Sequence, residues 1–201
     1  MHLLLATRNL HKQREFSEML GEEFALETLS RHPEIAEVVE TGTTFAANAE
    51  LKAVTVSRQL FGLVLADDSG LEVDSLGGAP GVYSARYAGE GATDVSNRKK
   101  LLSQLTLLGP GVSRVARFRC VLVLSRSGSV ITTFEGVAEG TILEKERGTA
   151  GFGYDSVFQP DGFSESFAEL SAVQKNTISH RASAVRRLHD FLRRSRSSRD
   201  A

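Results

Sequence analysis

The sequence predicts an α/β fold built on a mixed sheet, and three observations carry that expectation. Short apolar runs alternate with segments of helical periodicity, and the first run turns directly into a helix. Two long stretches rich in β-formers then meet at Ser127-Gly128, a hairpin signal that a purely parallel sheet would not contain. Taken in order, Leu3-Leu4-Leu5-Ala6 reads as a strand and Thr7-Arg8-Asn9 as a tight turn, while Phe16, Met19 and Leu20 mark one face of the helix that follows. Thr43-Thr44 offers an N-cap for a helix through Phe45, Asn48, Leu51, Lys52 and Thr55 to about Phe61, where Gly62 stops it. A strand from Leu63 to Ala66 comes next. Thr93 to Leu108 reads as a long helix ended by Gly109-Pro110, Arg114–Arg126 and Ser129–Gly140 as the hairpin, and Ser179 as the cap of a last helix running to about Arg194.

The chain has 201 residues with 24 Lys and Arg against 25 Asp and Glu. That length suits one sizeable core, expected over residues 1–193, with 194–201 a basic disordered tail. No internal repeat is visible, and no apolar run approaches the about 20 residues of a membrane helix. The first residues carry no secretory pattern, and the single Cys120 in apolar surroundings forms no intrachain disulfide; both suit the cytoplasm. The near-neutral balance gives no whole-chain drive toward nucleic acid or anionic lipid, so an anionic partner must be met by a local site.

Three segments carry candidate charge chemistry. Thr7-Arg8-Asn9-Leu10-His11-Lys12 turns from strand into helix, where backbone N–H groups and the positive end of the helix dipole face an anion and Lys12 can neutralise a phosphate. It lacks the glycines of a Walker A loop, and an ordinary capped helix with a solvated lysine fits the same residues. Ala66-Asp67-Asp68-Ser69-Gly70-Leu71 places two carboxylates at the end of an apolar strand, before a Ser-Gly turn. Ligands of open α/β sheets gather at such strand ends, and a carboxylate there binds Mg²⁺ or deprotonates an attacking water. Adjacent side chains of an extended chain point to opposite faces, so one of Asp67 and Asp68 is expected at a site and the other to brace the turn; an Asp-Ser-Gly turn cap without chemistry is the alternative. Glu40 precedes the helix on which Asn48 and Lys52 share a face. Glu40 is a candidate to complete a metal site with Asp68, and a solvated Lys52 is the alternative.

Two glycine-rich stretches and a cationic helix start complete the candidates. Gly77 to Gly89 carries two tyrosines and one arginine, and is either a solvent loop or a segment shaped around a ligand or partner subunit. In Gly148 to Asp155, Gly151-Phe152-Gly153 is followed by Ser156 where a third glycine would stand, so a dinucleotide fingerprint is unsupported. An aromatic ring between glycines instead suits stacking on a planar base. Lys175 to Arg181 gathers donors around a helix start. His180 and Arg181 in the first turn oppose the helix dipole, which points to an acceptor facing them; a satisfied structural histidine is the alternative.

Together these stretches resemble the Ham1-like inosine triphosphate pyrophosphatases, a family that includes the bacterial dITP/XTP pyrophosphatases. The likeness rests on Leu5-Ala6-Thr7-Arg8-Asn9-Leu10-His11-Lys12 with Glu15, and on Glu40-Thr41-Gly42-Thr43-Thr44-Phe45 with Asn48-Ala49 and Lys52-Ala53. It continues through Ala66-Asp67-Asp68-Ser69-Gly70-Leu71, Pro80-Gly81-Val82-Tyr83-Ser84-Ala85-Arg86-Tyr87 and Gly151-Phe152-Gly153-Tyr154-Asp155. Ala168-Glu169-Leu170, Lys175-Asn176 and Ile178-Ser179-His180-Arg181-Ala182 close it, in family order from residue 3 to about 192.

The resemblance implies an elongated two-lobed α/β fold with a central cleft, usually a homodimer, that hydrolyses ITP, dITP and XTP to the monophosphate and pyrophosphate with Mg²⁺ and so clears them from the nucleotide pool. By that match Asp68 is general base and metal ligand, and Glu40 a second metal ligand. Thr7, Arg8, Asn9, Leu10, His11, Lys12 and Lys52 hold the phosphates, Ser69 contacts substrate, and Phe152, Gly153, Tyr154, Asp155, Lys175, His180 and Arg181 form a nucleobase pocket. Two positions depart from the pattern. Ser156 stands where the family usually has proline and is expected to loosen the pocket loop; Arg8 stands where many members have glycine and is expected to add a phosphate contact. The partner implied is a small-molecule nucleotide, with no nucleic acid and no membrane. Competing readings are a septum-inhibitor-like pyrophosphatase acting on modified pyrimidine nucleotides, and a nucleic-acid binder acting through the arginine tail, against which Glu40, Asp67 and Asp68 would repel a phosphate backbone unless a metal intervened.

Overall fold

The computed structural model describes residues 1–197, with side chains through residue 195. Strands and helices interleave as β1 (His2–Leu5), α1 (Leu10–Leu20), β2 (Ala25–Thr28), α2 (Phe45–Ser57), β3 (Val64–Val73), α3 (Asp94–Leu107), β4 (Val115–Arg126), β5 (Ser129–Ile142), β6 (Phe158–Pro160), α4 (Ala172–Ile178) and α5 (His180–Ser197). The strands form one sheet in the order β2-β1-β3-β4-β5-β6. β1 runs parallel to β2 and β3, while β5 and β6 are antiparallel, so the mixed α/β sheet expected from the sequence is borne out. At the hairpin, Ser127 and Gly128 both take positive φ, 50° and 77°, as a two-residue turn matched to the strand twist requires.

The chain divides into two compact units. Unit 1 comprises residues 1–68, 120–136 and those from His180 onward; unit 2 comprises residues 69–119 and 137–179. In unit 1, Leu3 and Leu5 of β1 and Leu65 of β3 pack with Phe16 and Leu20, one turn apart on α1, and with Ala184, Val185, Leu188 and Leu192, which line one stripe of α5. Gly136 lets α5 approach β5: a Cβ there would lie 2.0 Å from the His180 carbonyl oxygen and 2.6 Å from the Ala184 nitrogen. The first turn of α5 is therefore seated against bare backbone. Unit 2 closes around aromatic rings, with Phe118 edge-on to Phe158 at 4.7 Å between centroids and Phe167 at 5.0 Å from Phe158, joined by Leu71, Leu101, Leu105 and Ile142.

Three expectations are corrected. β3 does not end at Ala66 before a Ser-Gly turn; it continues through Asp67-Asp68-Ser69-Gly70 to Val73, because Leu71 and Val73 have their own core to enter in unit 2. α4, a helix of seven residues, was not anticipated, and Ser179 joins it to α5 in extended conformation. The anticipated tail is helical through Ser197, and its remainder lies outside the described residues. Among the described residues no helix is long and apolar enough to cross a membrane.

Candidate active site

The turn from β1 into α1 is shaped by its own side chains. Thr7 Oγ1 accepts the Asn9 N–H at 3.2 Å, and Asn9 Oδ1 caps the helix by accepting the Lys12 N–H at 3.0 Å. Leu10 is exposed at the head of the helix and His11 follows it. Arg8 does not turn toward an anion. Its guanidinium donates to the carbonyls of Leu29 (2.9 Å), His32 (3.2 Å) and Ile35, so it fastens this turn to the 29–35 segment. The phosphate contact expected of Arg8 is thus replaced by backbone anchoring, as five planar donors make possible.

Lys12 is not solvated. Its Nζ lies 2.5 Å from Asp67 Oδ2 inside unit 1. Asp67 is fully buried, with Arg181 Nε at 3.9 Å and the Cys120 thiol donating to its Oδ1 at 3.1 Å. Burial alone would raise the Asp67 pKa, yet Lys12 and Arg181 outweigh it and hold the carboxyl below the ordinary range. Burial, then the neighbouring Asp67 charge, pushes the Cys120 thiol well up. The aspartate expected to brace a turn is instead the buried counter-charge of two cations. An ammonium has three donors, so this pairing leaves Lys12 two for another acceptor.

The second acidic residue has different company. Thr44 caps α2, and Asn48 Oδ1 accepts the Gly42 N–H at 2.7 Å, which ties the Glu40-Thr41-Gly42 stretch to the helix. One turn further on, Lys52 Nζ donates to Glu40 Oε1 (2.8 Å), to the Asp67 carbonyl (2.7 Å) and to Asp68 Oδ1 (3.4 Å). Glu40, Lys52 and Asp68 therefore meet; the sequence had paired Glu40 with Asp68 and given Lys52 no part in that pairing. Burial would lower the Lys52 pKa, but Asp68, Glu40 and Asp67 together hold it above its ordinary value. For Asp68 burial prevails over Lys52, and the carboxyl is shifted up. Its second oxygen, Oδ2, is buried and has no hydrogen-bond partner among the described residues. A buried acceptor without a donor is costly, which marks Oδ2 as the place where a ligand atom would be favoured.

At the start of α5, His180 and Arg181 are both buried. Arg181 Nη1 binds Glu15 Oε2 at 2.9 Å, so a carboxylate on α1 offsets the cation that opposes the helix dipole. Sequence reading had Glu15 only as part of a motif. Its place one turn from Lys12 on the same face was the signal for a shared network.

The remaining candidates lie in unit 2. Ser69 follows Asp68 along β3 and is half-buried. Asp155 Oδ2 accepts the Phe152 N–H at 2.9 Å and the Lys175 ammonium at 2.6 Å, both ends of the ion pair being buried. Lys175 Nζ stands 5.3 Å from the centre of the half-buried Phe152 ring. Tyr154 is turned inward: its hydroxyl donates to the Ser84 carbonyl at 2.8 Å, and burial raises its pKa. It supports the loop from beneath. Ser156 does not loosen that loop as expected, because it is buried and its Oγ bonds Glu146 Oε2 at 3.1 Å. The Gly77–Gly89 stretch, read as irregular, holds a helical turn over Gly81–Arg86, pinned by Ser84 Oγ accepting the Leu71 N–H at 2.9 Å.

The sequence pattern of the Ham1 family matches residues 3–191. The chain belongs to the Ham1 family. It is 48% identical over 194 residues to a Bacillus licheniformis protein named dITP/XTP pyrophosphatase, spanning 94% of this chain and 97% of that one. A Listeria monocytogenes protein of the same name is 47% identical over 192 residues, spanning 94% of each. Among solved structures, a HAM1 protein from Coxiella burnetii superposes with TM-score 0.88 at 36% identity, covering 96% of this chain and 99% of that one. The Staphylococcus aureus Ham1 protein gives TM-score 0.86 at 38% identity, covering 97% and 100%. The Ham1 resemblance drawn from sequence is therefore borne out in both sequence and fold.

Proposed function

We propose that this Ham1 chain hydrolyses inosine- and xanthine-type nucleoside triphosphates, ITP, dITP and XTP, to the monophosphate and pyrophosphate. The observation that carries the reading is the junction of Lys52 with Glu40 and Asp68 beside the unpartnered Asp68 Oδ2, in a chain nearly half identical to proteins named dITP/XTP pyrophosphatase. Asp68, with its pKa raised by burial, is the group to take a proton from water as the water oxygen attacks the α-phosphorus. The α–β anhydride bond breaks, and pyrophosphate leaves with the bond's electron pair. Lys12, anchored on Asp67 with donors to spare, is the cation for the charge that develops there. Lys52 joins it only by giving up one of three present bonds, of which the 3.4 Å contact to Asp68 is the weakest.

Magnesium fits the residues present. Among the described residues no three or more His, Cys, Asp or Glu side chains are grouped to hold a metal, but Mg²⁺ ordinarily takes one or two carboxylates and fills the rest with water and phosphate oxygens. Glu40 and Asp68 are the two, with Asp68 Oδ2 in want of a partner. Bound there, Mg²⁺ supplies charge neutralisation to the phosphates. Base choice is assigned, on the Ham1 resemblance, to Phe152, Asp155 and Lys175. Donors facing a 6-oxo group would be left unpaired by a 6-amino purine, at about 1–3 kcal/mol per group. A homodimer in the cytoplasm completes the reading, checked by light scattering and by cell fractionation.

The deciding experiment measures pyrophosphate and phosphate separately from ITP, XTP, GTP, ATP and dTTP, with Mg²⁺ and with EDTA. Pyrophosphate from ITP and XTP, lost with EDTA, is expected. Release of phosphate instead, or preference for dTTP, would overturn the proposal.

A further inference from the structure

The Gly151–Ser156 loop is gripped by α3 in a way that none of the motif residues accounts for. Gly153 sits at φ +60°, and both polar groups of this residue are taken by side chains one helical turn apart on α3. Its N–H donates to Asp94 Oδ2 at 2.7 Å, and its carbonyl accepts from Arg98 Nη1 at 2.8 Å. Residues four apart project from one helix face, so the two side chains form a pincer on a single residue. The grip does not end there. Arg98 Nε donates to Glu146 Oε2 at 2.9 Å, and the same oxygen accepts from Ser156 Oγ at 3.1 Å. The Ser156 carbonyl accepts the Arg147 N–H at 2.8 Å. The guanidinium thus braces the loop at Gly153 directly and at Ser156 through Glu146, across the residues that carry Tyr154 and Asp155.

We infer that Asp94 and Arg98 are specificity-determining positioning residues: they fix the backbone beside Phe152, and so the placement of its ring, while Ser156 and Glu146 tie the far end of the loop to the same guanidinium. The inference rests on the assignment of Phe152 to base recognition. Phe152 has its own N–H on Asp155, and Asp155 is held by Lys175, so the ring is determined from one side by that ion pair and from the other by the pincer. A glycine in the left-handed region has no side chain to hold it, which is why the restraint must come from outside. Charge-assisted bonds of this kind are strong enough for their loss to be read in binding.

The test compares Arg98→Ala, Arg98→Lys, Asp94→Asn, Ser156→Ala and Phe152→Ala in the full chain. It follows KM and kcat for ITP and ATP, inhibition by inorganic pyrophosphate, and thermal stability. Arg98→Ala is expected to raise KM for ITP roughly tenfold and to narrow the ITP-to-ATP ratio, with kcat and pyrophosphate inhibition within about twofold of the wild type. Arg98→Lys keeps one of the two bonds and falls between; Ser156→Ala shifts the ratio least. A general loss of structure would move pyrophosphate inhibition as well, and that result overturns the inference. So does an unchanged base ratio in Arg98→Ala and Asp94→Asn when Phe152→Ala changes it. If Phe152→Ala also leaves the ratio unchanged, the base-recognition assignment itself fails and takes the inference with it.

Discussion

The two units hold their candidate residues by opposite means. In unit 1, Lys12, Lys52, Arg181, Glu15, Glu40, Asp67 and Asp68 contact one another through charged ends drawn from α1, α2, β3, α5 and the chain before α2. In unit 2, the buried ion pair of Lys175 with Asp155 stands among aromatic rings, and the loop is also restrained through backbone N–H and carbonyl groups. The contrast follows from what each would bind. A polyphosphate is recognised by charge, which tolerates long side chains provided their counter-ions hold them in place. A planar base is recognised by a ring at the right height and by directional donors, which demands a fixed backbone. Substitutions that remove charge at Lys12, Lys52 and Asp68 should therefore act on turnover and phosphate affinity, and those at Lys175 and Asp155 on base choice.

The largest expected effect tests the chemical half of that contrast. Asp68→Asn removes the acceptor of the water proton and should lower pyrophosphate release from ITP by roughly 10²–10⁴-fold. Thermal stability should hold or rise, since burial already disfavours the charged form of Asp68. Turnover within a few-fold of wild type would remove Asp68 as the base.

Next in size is the buried pair. Lys12→Met takes from the buried Asp67 carboxylate the ammonium at 2.5 Å and leaves Arg181 Nε at 3.9 Å, and should cost about 3 kcal/mol in urea unfolding. Asp67→Asn added to it should recover most of that stability but none of the lost ITP affinity. If the double variant regained KM, Lys12 would be a structural counter-ion alone. In unit 2 the corresponding change, Lys175→Met with Asp155→Asn, should leave kcat near wild type and compress the ITP-to-ATP ratio by roughly tenfold.

How much of this was legible depended on how local the cause was. β1, the turn and α1 could be read because four apolar residues, an Asx cap and helical spacing lie within twenty positions; the hairpin could be read because only Ser127-Gly128 satisfies its turn. The pairing of Glu40 with Asp68 was anticipated because both carboxylates suit one metal ion, whereas Lys52, read as a phosphate contact or a solvated lysine, was not expected between them. β3 was cut short because Asp-Asp-Ser-Gly carries turn chemistry, and only the core that Leu71 and Val73 enter overrides it. The partners of Asp67 were hidden for a different reason: Lys12, Cys120 and Arg181 come from three remote elements, and no periodicity links them. Arg8 and Ser156 were misjudged alike, as departures from a pattern, when each had found backbone or carboxylate partners close by.

The smallest effect concerns Cys120, the remaining member of the unit 1 network. Its thiol donates to Asp67 Oδ1, yet the charge of that carboxylate is already met by Lys12 and Arg181. Removing one weak donor from a carboxylate that keeps two cations should change little, so Cys120→Ala is expected to shift stability by about 1 kcal/mol, chiefly through lost packing, and to leave KM for ITP unchanged. The native thiol, buried and with its pKa pushed up, should resist alkylation at neutral pH until the chain unfolds. Rapid labelling of folded protein would show that unit 1 opens more readily than its packed charges imply, and a rise in KM for Cys120→Ala comparable to that of Lys12→Met would show that the thiol, rather than the cations, holds Asp67 in place.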